Sequence, residues 1–543
     1  MINFLKNIKN TEVLILILIY SVFLLIGILS FKDFGISIDE WELRIGGFVN
    51  LKYIMLSLFG TSPSEMGNIV KIPELTAYFG AHGGYFVTLI SFIEYIFNIQ
   101  DEQKIYFISH LINHLIFLIA NFYFFLLIKD RFNNYIYGIA GAFFLFLSPR
   151  IFAESFYNQK DILFLSMFLI SSYYAVSFIK KPSLKNSLLL AFSSALSIDI
   201  RIMGLILIPI LLFFVYVKYI KNKDSKLLLF TIIYLAILPF TVILFWPYLW
   251  MDPWNNLIEA FNIMSSYGTR WGGYNLYFGK YILASNIPWH YSLVWIFITT
   301  PILYLILFIY GFFHISLRLK NRLFKITNES NVNDVVASDN ELTDLFHYVT
   351  FILPIFLVIS FNSTMYDGWR HLFFIYPSLL YISLKGLYLI KLNFFRKKFL
   401  NLFLAIILFL SFTTYEMIHY HPHQNVYFNL LVGKNVYKKF ENDYWGLSNK
   451  QAFEFLLSNE SKNTIFIGSA GPISLENSKK ILSLEERARL VIKPNNEADY
   501  IIDNYRNWFG QYNKNRYKIP DNFIIYKDIL RRGRKIISIY KRI

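Results

Sequence analysis

From residue 13 to about 418 the chain alternates long apolar runs with short polar loops; the runs fall at 13–31, 105–128, 135–148, 162–179, 186–199, 203–220, 227–247, 291–315, 346–362, 371–391 and 399–418. Most have the length of a helix that crosses about 30 Å of hydrocarbon, which predicts eleven membrane spans. The loops between them differ in charge. One set holds Lys6 and Lys9, Lys129 and Arg131, Lys180 to Lys185, Lys218 to Lys226, Arg318 to Lys325, and Arg396 to Lys398. Basic residues gather in cytoplasmic loops, so this set and the N-terminus are expected inside. The loops 32–104, 149–161, 200–202, 248–290 and 363–370, with everything after 419, are expected outside.

The alternation closes only if 84–98 (GYFVTLISFIEYIFN) lies along the interface instead of crossing, with Glu94 at its polar edge. The runs 135–148 and 186–199 are short for a bilayer, which suggests that the loops after them sink into a protein-lined cavity on the outer side. The loop 318–345 lacks periodicity and reads as a flexible connector. Past 420 the pattern changes to helical stretches near 448–458 and 473–488, and β-like runs at 464–468, 489–493, 499–503 and 523–526. The expected organisation is a transmembrane module over 1–419 and a small α/β extracytoplasmic domain over 420–543.

Composition supports an integral membrane protein: 55% of residues are hydrophobic and 16% charged, against about 25% charged in a soluble domain. The net charge of +16 is accounted for by loop cations that set orientation and meet anionic lipids, so nucleic acid is not an expected partner. With no cysteine, disulfides and thiolate metal sites are excluded.

The candidate chemistry lies on one side. Asp39 and Glu40 follow the first run inside FKDFGISIDEWELRIG, where a carboxylate can take a proton from an acceptor hydroxyl or amine; the alternative is a solvated loop. Arg150, Glu154, Lys160 and Asp161 lie among aromatics in SPRIFAESFYNQKD, a mixture suited to a lipid-linked phosphate or, alternatively, to an interfacial aromatic belt. Arg201 is either a second phosphate ligand or the partner of Asp199. The aromatic loop 245–291, with Tyr267, Arg270, Lys280 and His290, resembles a lid over a glycan or lipid site. Tyr366, Asp367, Arg370 and His371 form a polar turn between two apolar runs, and Arg370 is the best candidate for neutralising a departing phosphate. His419, His421 and His423 alternate, but Pro422 breaks any regular strand and no acidic ligand accompanies them, so no metal site is expected there. Tyr427-Phe428-Asn429 and Asp443-Tyr444-Trp445-Gly446 are candidates to cap the cavity.

An acid pair after the first span, the SPR…NQKD segment and an outer C-terminal domain together resemble the GT-C glycosyltransferases, in particular the branch of protein O-mannosyltransferases and aminoarabinose transferases. The resemblance implies a bacterial plasma-membrane enzyme that moves a monosaccharide from a polyprenyl-phosphate donor, with inversion, to a glycan, lipid or protein acceptor on the outer face. It implies Asp39 as the catalytic acid of the first outer loop and Asp161, with Glu154, as the acidic motif of the second, with no cofactor favoured, although some superfamily members use a divalent metal. Two other classes fit the span pattern: a transporter of lipid-linked sugars, which needs polar groups at mid-membrane, and a non-catalytic envelope assembly protein.

Overall fold

The computed structural model of the protein describes residues 10–61, 71–75, 83–265, 272–329, 336–395, 399–433, 435–510 and 517–543. Apolar helices make up most of it, and the chain is a multi-pass membrane protein. In order, α1 (Asn10–Ser30) is followed by α2 (Glu40–Phe59), α3 (Tyr85–Ile96), α4 (Glu102–Phe132), α5 (Tyr135–Phe146), α6 (Pro149–Tyr157), α7 (Asp161–Lys180), α8 (Leu184–Ile200), α9 (Leu207–Asn222), α10 (Ser225–Phe245) and α11 (Pro253–Ser265). After a hairpin of β1 (Tyr274–Tyr277) and β2 (Lys280–Leu283) come α12 (Tyr291–Thr299), α13 (Ile302–Glu329), α14 (Asp339–Ser360), α15 (Tyr376–Phe394) and α16 (Phe399–Tyr420).

Among the described residues, eight helices are long and apolar enough to cross a membrane, or up to nine with the bent pair α5–α6, against the eleven expected. The other two runs form the helices α8, of 17 residues, and α16 (Phe399–Tyr420). At 1.5 Å per residue α8 reaches about 26 Å, just short of the hydrocarbon thickness. Proline breaks two runs. Ser148 precedes Pro149 and leaves the helix, so α6 starts afresh at 66° to α5. Pro301 separates α12 from α13.

Two glycines let α13 and α15 approach closely. A Cβ on Gly311 of α13 would run into the carbonyl of Ile382, and one on Gly386 of α15 into that of Leu307. Small residues let spans touch backbone to backbone. Gly386→Val is therefore expected to cost about 1–3 kcal/mol, seen as a thermal midpoint several degrees lower in detergent.

Residues 40–59, expected to be loop, form α2, which packs against α3. Helix α3 falls where an interfacial helix is expected, but Glu94 is not at a wet edge. It is 2% exposed and takes two hydrogen bonds from Arg44, with Arg44 Nε at 3.0 Å. The apolar faces of α2 and α3 can come together because Arg44 of α2 and Glu94 of α3 neutralise each other.

The segment 318–345 is largely helical rather than a flexible connector. Helix α13 continues to Glu329, and α14 starts at Asp339 with Ser338 accepting from the Glu341 amide. The polar residues that hid this periodicity pair across the two helices: Glu341 meets Arg318 at 3.0 Å and Arg322 at 3.1 Å. Beside them buried Asp344 holds Arg131, Lys385 and the Tyr381 hydroxyl.

The C-terminal part contains α17 (Asn449–Asn459), β3 (Ile465–Ser469), α18 (Leu475–Ser478), α19 (Leu484–Arg489), β4 (Leu490–Ile492), β5 (Tyr500–Asp503), β6 (Phe523–Arg531) and β7 (Arg534–Arg542). Its sheet runs β4-β3-β5-β7-β6, parallel through β4, β3 and β5 and antiparallel beyond. Strand β7, unforeseen within the basic end of the chain, is buried on both faces at Ile536, Ile537, Ser538 and Ile539, its cations lying at its ends. The sheet is seated on the helical part. Ile36 and Tyr106 join its apolar core, and buried Glu102 of α4 meets Arg487 at 2.7 Å and Lys480 at 3.2 Å.

Candidate functional site

Four polar breaks in the apolar pattern converge at the end of the bundle below the sheet. Asp39 stands at the N-cap of α2. At the α6–α7 turn the Asn158 side-chain oxygen accepts from the amides of Lys160 (3.2 Å) and Asp161 (2.8 Å), which fixes Asp161 as the first residue of α7. Arg201 ends α8. Arg370 opens the short 3-10 turn Arg370–Ile375 that leads into α15, after a tight turn with Asp367 and Gly368 at positive φ (57° and 71°).

Arg370 is the hub. Its Nη1 lies 3.0 Å from Asp161 and 3.6 Å from Asp39, and its Nη2 lies 3.2 Å from Asp367. Its guanidinium is sandwiched between the rings of Tyr366 (4.9 Å) and Trp445 (4.7 Å). Asp161 also pairs with Arg201, and Asp367 with Arg506, which in turn pairs with Glu441. The acids differ in access: the Asp39 side chain is 35% exposed, Asp161 1% and Asp367 8%. Only the first can meet an incoming molecule without the network opening. Lys160 lies in the field of Asp39, Asp161, Arg201 and Arg370. Burial, and then the charge of Arg201, bring its ammonium down to about 8. Among the described residues it makes no ion pair, so it retains donors for an anion.

The other sequence candidates are placed as follows. Glu40 points away from Asp39: its carboxylate accepts from the Ser37 amide at 2.6 Å and meets His110 at 2.9 Å, 1% exposed. Arg150 is likewise turned aside, donating to the Tyr427 carbonyl at 3.0 Å with its guanidinium over Phe428. Glu154 accepts from Asn158 (2.7 Å) and the Tyr444 hydroxyl (2.9 Å), which ties the α6–α7 turn to the run around Tyr444. Asp199 is not the partner of Arg201. It accepts from the Tyr85 amide at the start of α3 (3.0 Å), where a Cβ on Gly83 would collide with it. His371 is buried against the Tyr366 ring. His290, at the N-cap of α12, bonds the Tyr277 hydroxyl at 2.7 Å, and Lys280 is exposed at the start of β2; both lie outside the Arg370 network. Tyr267 and Arg270 lie outside the described residues. His419, His421 and His423 bond separately to the Tyr415 carbonyl, Asp33 and Gln451. Among the described residues no three His, Asp or Glu side chains gather as a metal site would require.

The sequence reading missed Arg506 and Glu441. Nothing in NYRNW or FEND marks them, because their role comes from a turn more than 60 residues away in sequence. Burial pushes the Glu441 carboxyl up to about 7 against the pull of Arg506. The run Asp443-Tyr444-Trp445-Gly446 packs on the hub. Asp443 accepts from the amides of Gly446 (3.2 Å) and Ser448 (2.8 Å), and the turn so formed lays Trp445 on Arg370. Gly446 has φ of 77°, a conformation that glycine adopts without strain.

Residues 84–247 match the family model for dolichyl-phosphate-mannose-protein mannosyltransferase. The match takes in Asp161, Lys160 and Arg201, and over this stretch the resemblance to the GT-C glycosyltransferases holds. No curated protein matches the chain in sequence. Similar solved structures include the Archaeoglobus fulgidus oligosaccharyltransferase in its apo form, 11% identical with a TM-score of 0.48; the alignment covers 88% of this chain and 65% of that one. The same organism's enzyme in complex with an inhibitory peptide and a dolichol-phosphate is 12% identical with a TM-score of 0.46, covering 89% of this chain and 69% of that one.

Proposed function

We propose that the protein transfers one sugar from a polyprenyl-phosphate donor to an acceptor nucleophile with inversion at the anomeric carbon, Asp39 acting as general base. The supporting observation is a half-open carboxylate, 35% exposed, 3.6 Å from an arginine that two buried aspartates also hold. The acceptor hydroxyl or amine gives its proton to Asp39 as its lone pair forms the new bond, and the carbon–oxygen bond to the lipid phosphate breaks. A phosphate needs no proton in order to leave. A site with one accessible base and several cations suits this step better than the paired carboxylates of a glycoside hydrolase.

Lys160 is the cation with donors to spare, and in this reading it receives the donor phosphate, while Arg201 and Arg370 supply the surrounding positive field. In this reading the basic loops face the cytoplasm, and this end of the bundle faces out of a bacterial plasma membrane.

The deciding experiment incubates radiolabelled polyprenyl-phosphate monosaccharides with membranes holding the wild type or Asp39→Asn, and asks whether label enters protein, lipid or polysaccharide. Label moving only with the wild type supports the reading; no transfer from any such donor overturns it. Lys160 gives a pH signature. It is a cation below about 8 and neutral above, so donor KM is expected to rise as the pH passes 8, and Lys160→Ala to raise KM about tenfold at pH 7 and flatten that rise. Asp39 and Asp161 both face Arg370, and the proposed step uses no metal. Turnover is expected to survive EDTA, read as label transfer with and without chelator.

A further inference from the structure

Beside the sheet lies a cleft of about 460 Å³ that the proposed transfer does not use. That volume is within the range of small-molecule sites. Its position follows from topology. β3 lies between β4 and β5, all parallel, and the chain leaves β3 toward β4 on one flank but leaves β5 toward β6 on the other. Connections that part in this way open a crevice at the carboxyl ends of the strands. Ala470, just after β3, and Asp503, which ends β5, line the cleft.

Tyr281 of the β1–β2 hairpin, Tyr437, Tyr505, Asn507 and Tyr517 also line it. Tyr437 and Tyr505 have ring centroids 4.8 Å apart at 45°. Tyr505 is held at a φ of 60°, where a bulky residue is strained; the Asp503 carboxylate accepts its amide at 2.8 Å, and its hydroxyl bonds Ser538 at 2.5 Å. Backbone of this kind persists where the surroundings dictate a side chain's position. Buried Arg506 also borders the cleft and joins it to the catalytic hub through Asp367.

From these features we propose that the cleft binds a saccharide unit of the acceptor. Aromatic rings match the apolar faces of a sugar. Phenol, amide and carboxylate groups match hydroxyls that both donate and accept. One way to hold an extended peptide is to add it to a strand edge; the edge strands of the five-stranded sheet, β4 and β6, contribute no residue to the lining of the cleft. The proposal rests on the transferase reading, but its test does not need turnover.

Full-length protein in lipid nanodiscs is titrated with maltotetraose, mannotetraose and chitotetraose, and with a Ser/Thr-rich octapeptide, by saturation-transfer NMR. At least one tetrasaccharide is expected to bind, about tenfold more weakly in Tyr505→Ala and in the cleft-filling Ala470→Trp, and unchanged in Asp39→Asn. Binding of none of the tetrasaccharides, equal binding by the cleft variants, or binding of the peptide alone overturns the proposal. Cleft-dependent binding without any donor consumption would sink the transferase reading and leave the cleft standing. Transfer with an unchanged acceptor KM in both cleft variants would do the reverse.

Discussion

Replacing Asp39 with Asn is expected to lower the transfer rate by about 10²–10⁴, the usual contribution of a positioned general base, while leaving the fold intact. The amide keeps the shape of the side chain it replaces. The interaction lost is one pair at 3.6 Å from a side chain that is 35% exposed, while Arg370 keeps Asp161 and Asp367. A partly solvated ion pair contributes about 1 kcal/mol or less, so the thermal midpoint should move by only a few degrees. Donor KM should hardly change, because the phosphate is assigned to Lys160. Rate and stability thus separate in this variant. If D39N retains more than about a tenth of wild-type transfer, Asp39 is not the base.

Arg370→Ala is expected to remove both activity and much of the stability. Asp161 and Asp367 are buried and share this guanidinium; each keeps a second arginine, Arg201 and Arg506, so the cost is expected to fall below the about 3–5 kcal/mol of a buried charge left wholly unpaired. Arg370→Lys separates the two effects. An ammonium keeps the charge, so folding is expected to recover in part, but it cannot bridge three carboxylates with a planar fork or stack between Tyr366 and Trp445. Transfer in R370K should stay at least about 100-fold down. A double variant, Arg370→Ala with Asp161→Asn, should regain stability over Arg370→Ala alone without regaining activity, as measured by thermal unfolding in detergent and label transfer. An R370A protein as stable and active as wild type would remove Arg370 from its place as hub.

How much of this was legible in the sequence depends on where the constraint on each residue comes from. Asp39, Asp161, Arg201 and Arg370 are visible as charges at the ends of apolar runs, because a charge at that depth is expensive unless it is paired. Glu40 and Arg150 are just as visible, and the sequence cannot separate them from the first group. Whether Glu40 faces Arg370 or His110 is decided by the turn at Ser37, which no periodicity encodes. The helical runs were legible for the same reason as the spans, from their length. Helix α2 was not, since EWELRIGG mixes charge and glycine, and its burial is made possible by Glu94, some 50 residues later. Likewise β7 carries its cations at its ends and its burial in the middle, so composition reads it as a basic tail.

The pairing of Asp367 with Arg506 crosses 139 positions of chain, and with Glu441 it ties the hub to a segment made late in synthesis. A ribosome that has completed all the membrane helices has therefore not yet supplied the last counter-charge. Until the tail emerges and docks, Asp367 pulls on Arg370 alone and the pocket stays unset, so a stalled or clipped chain is expected to be inserted yet inert. Setting of the hub is then expected to wait for synthesis of Arg506 and not for insertion of the helices that precede it.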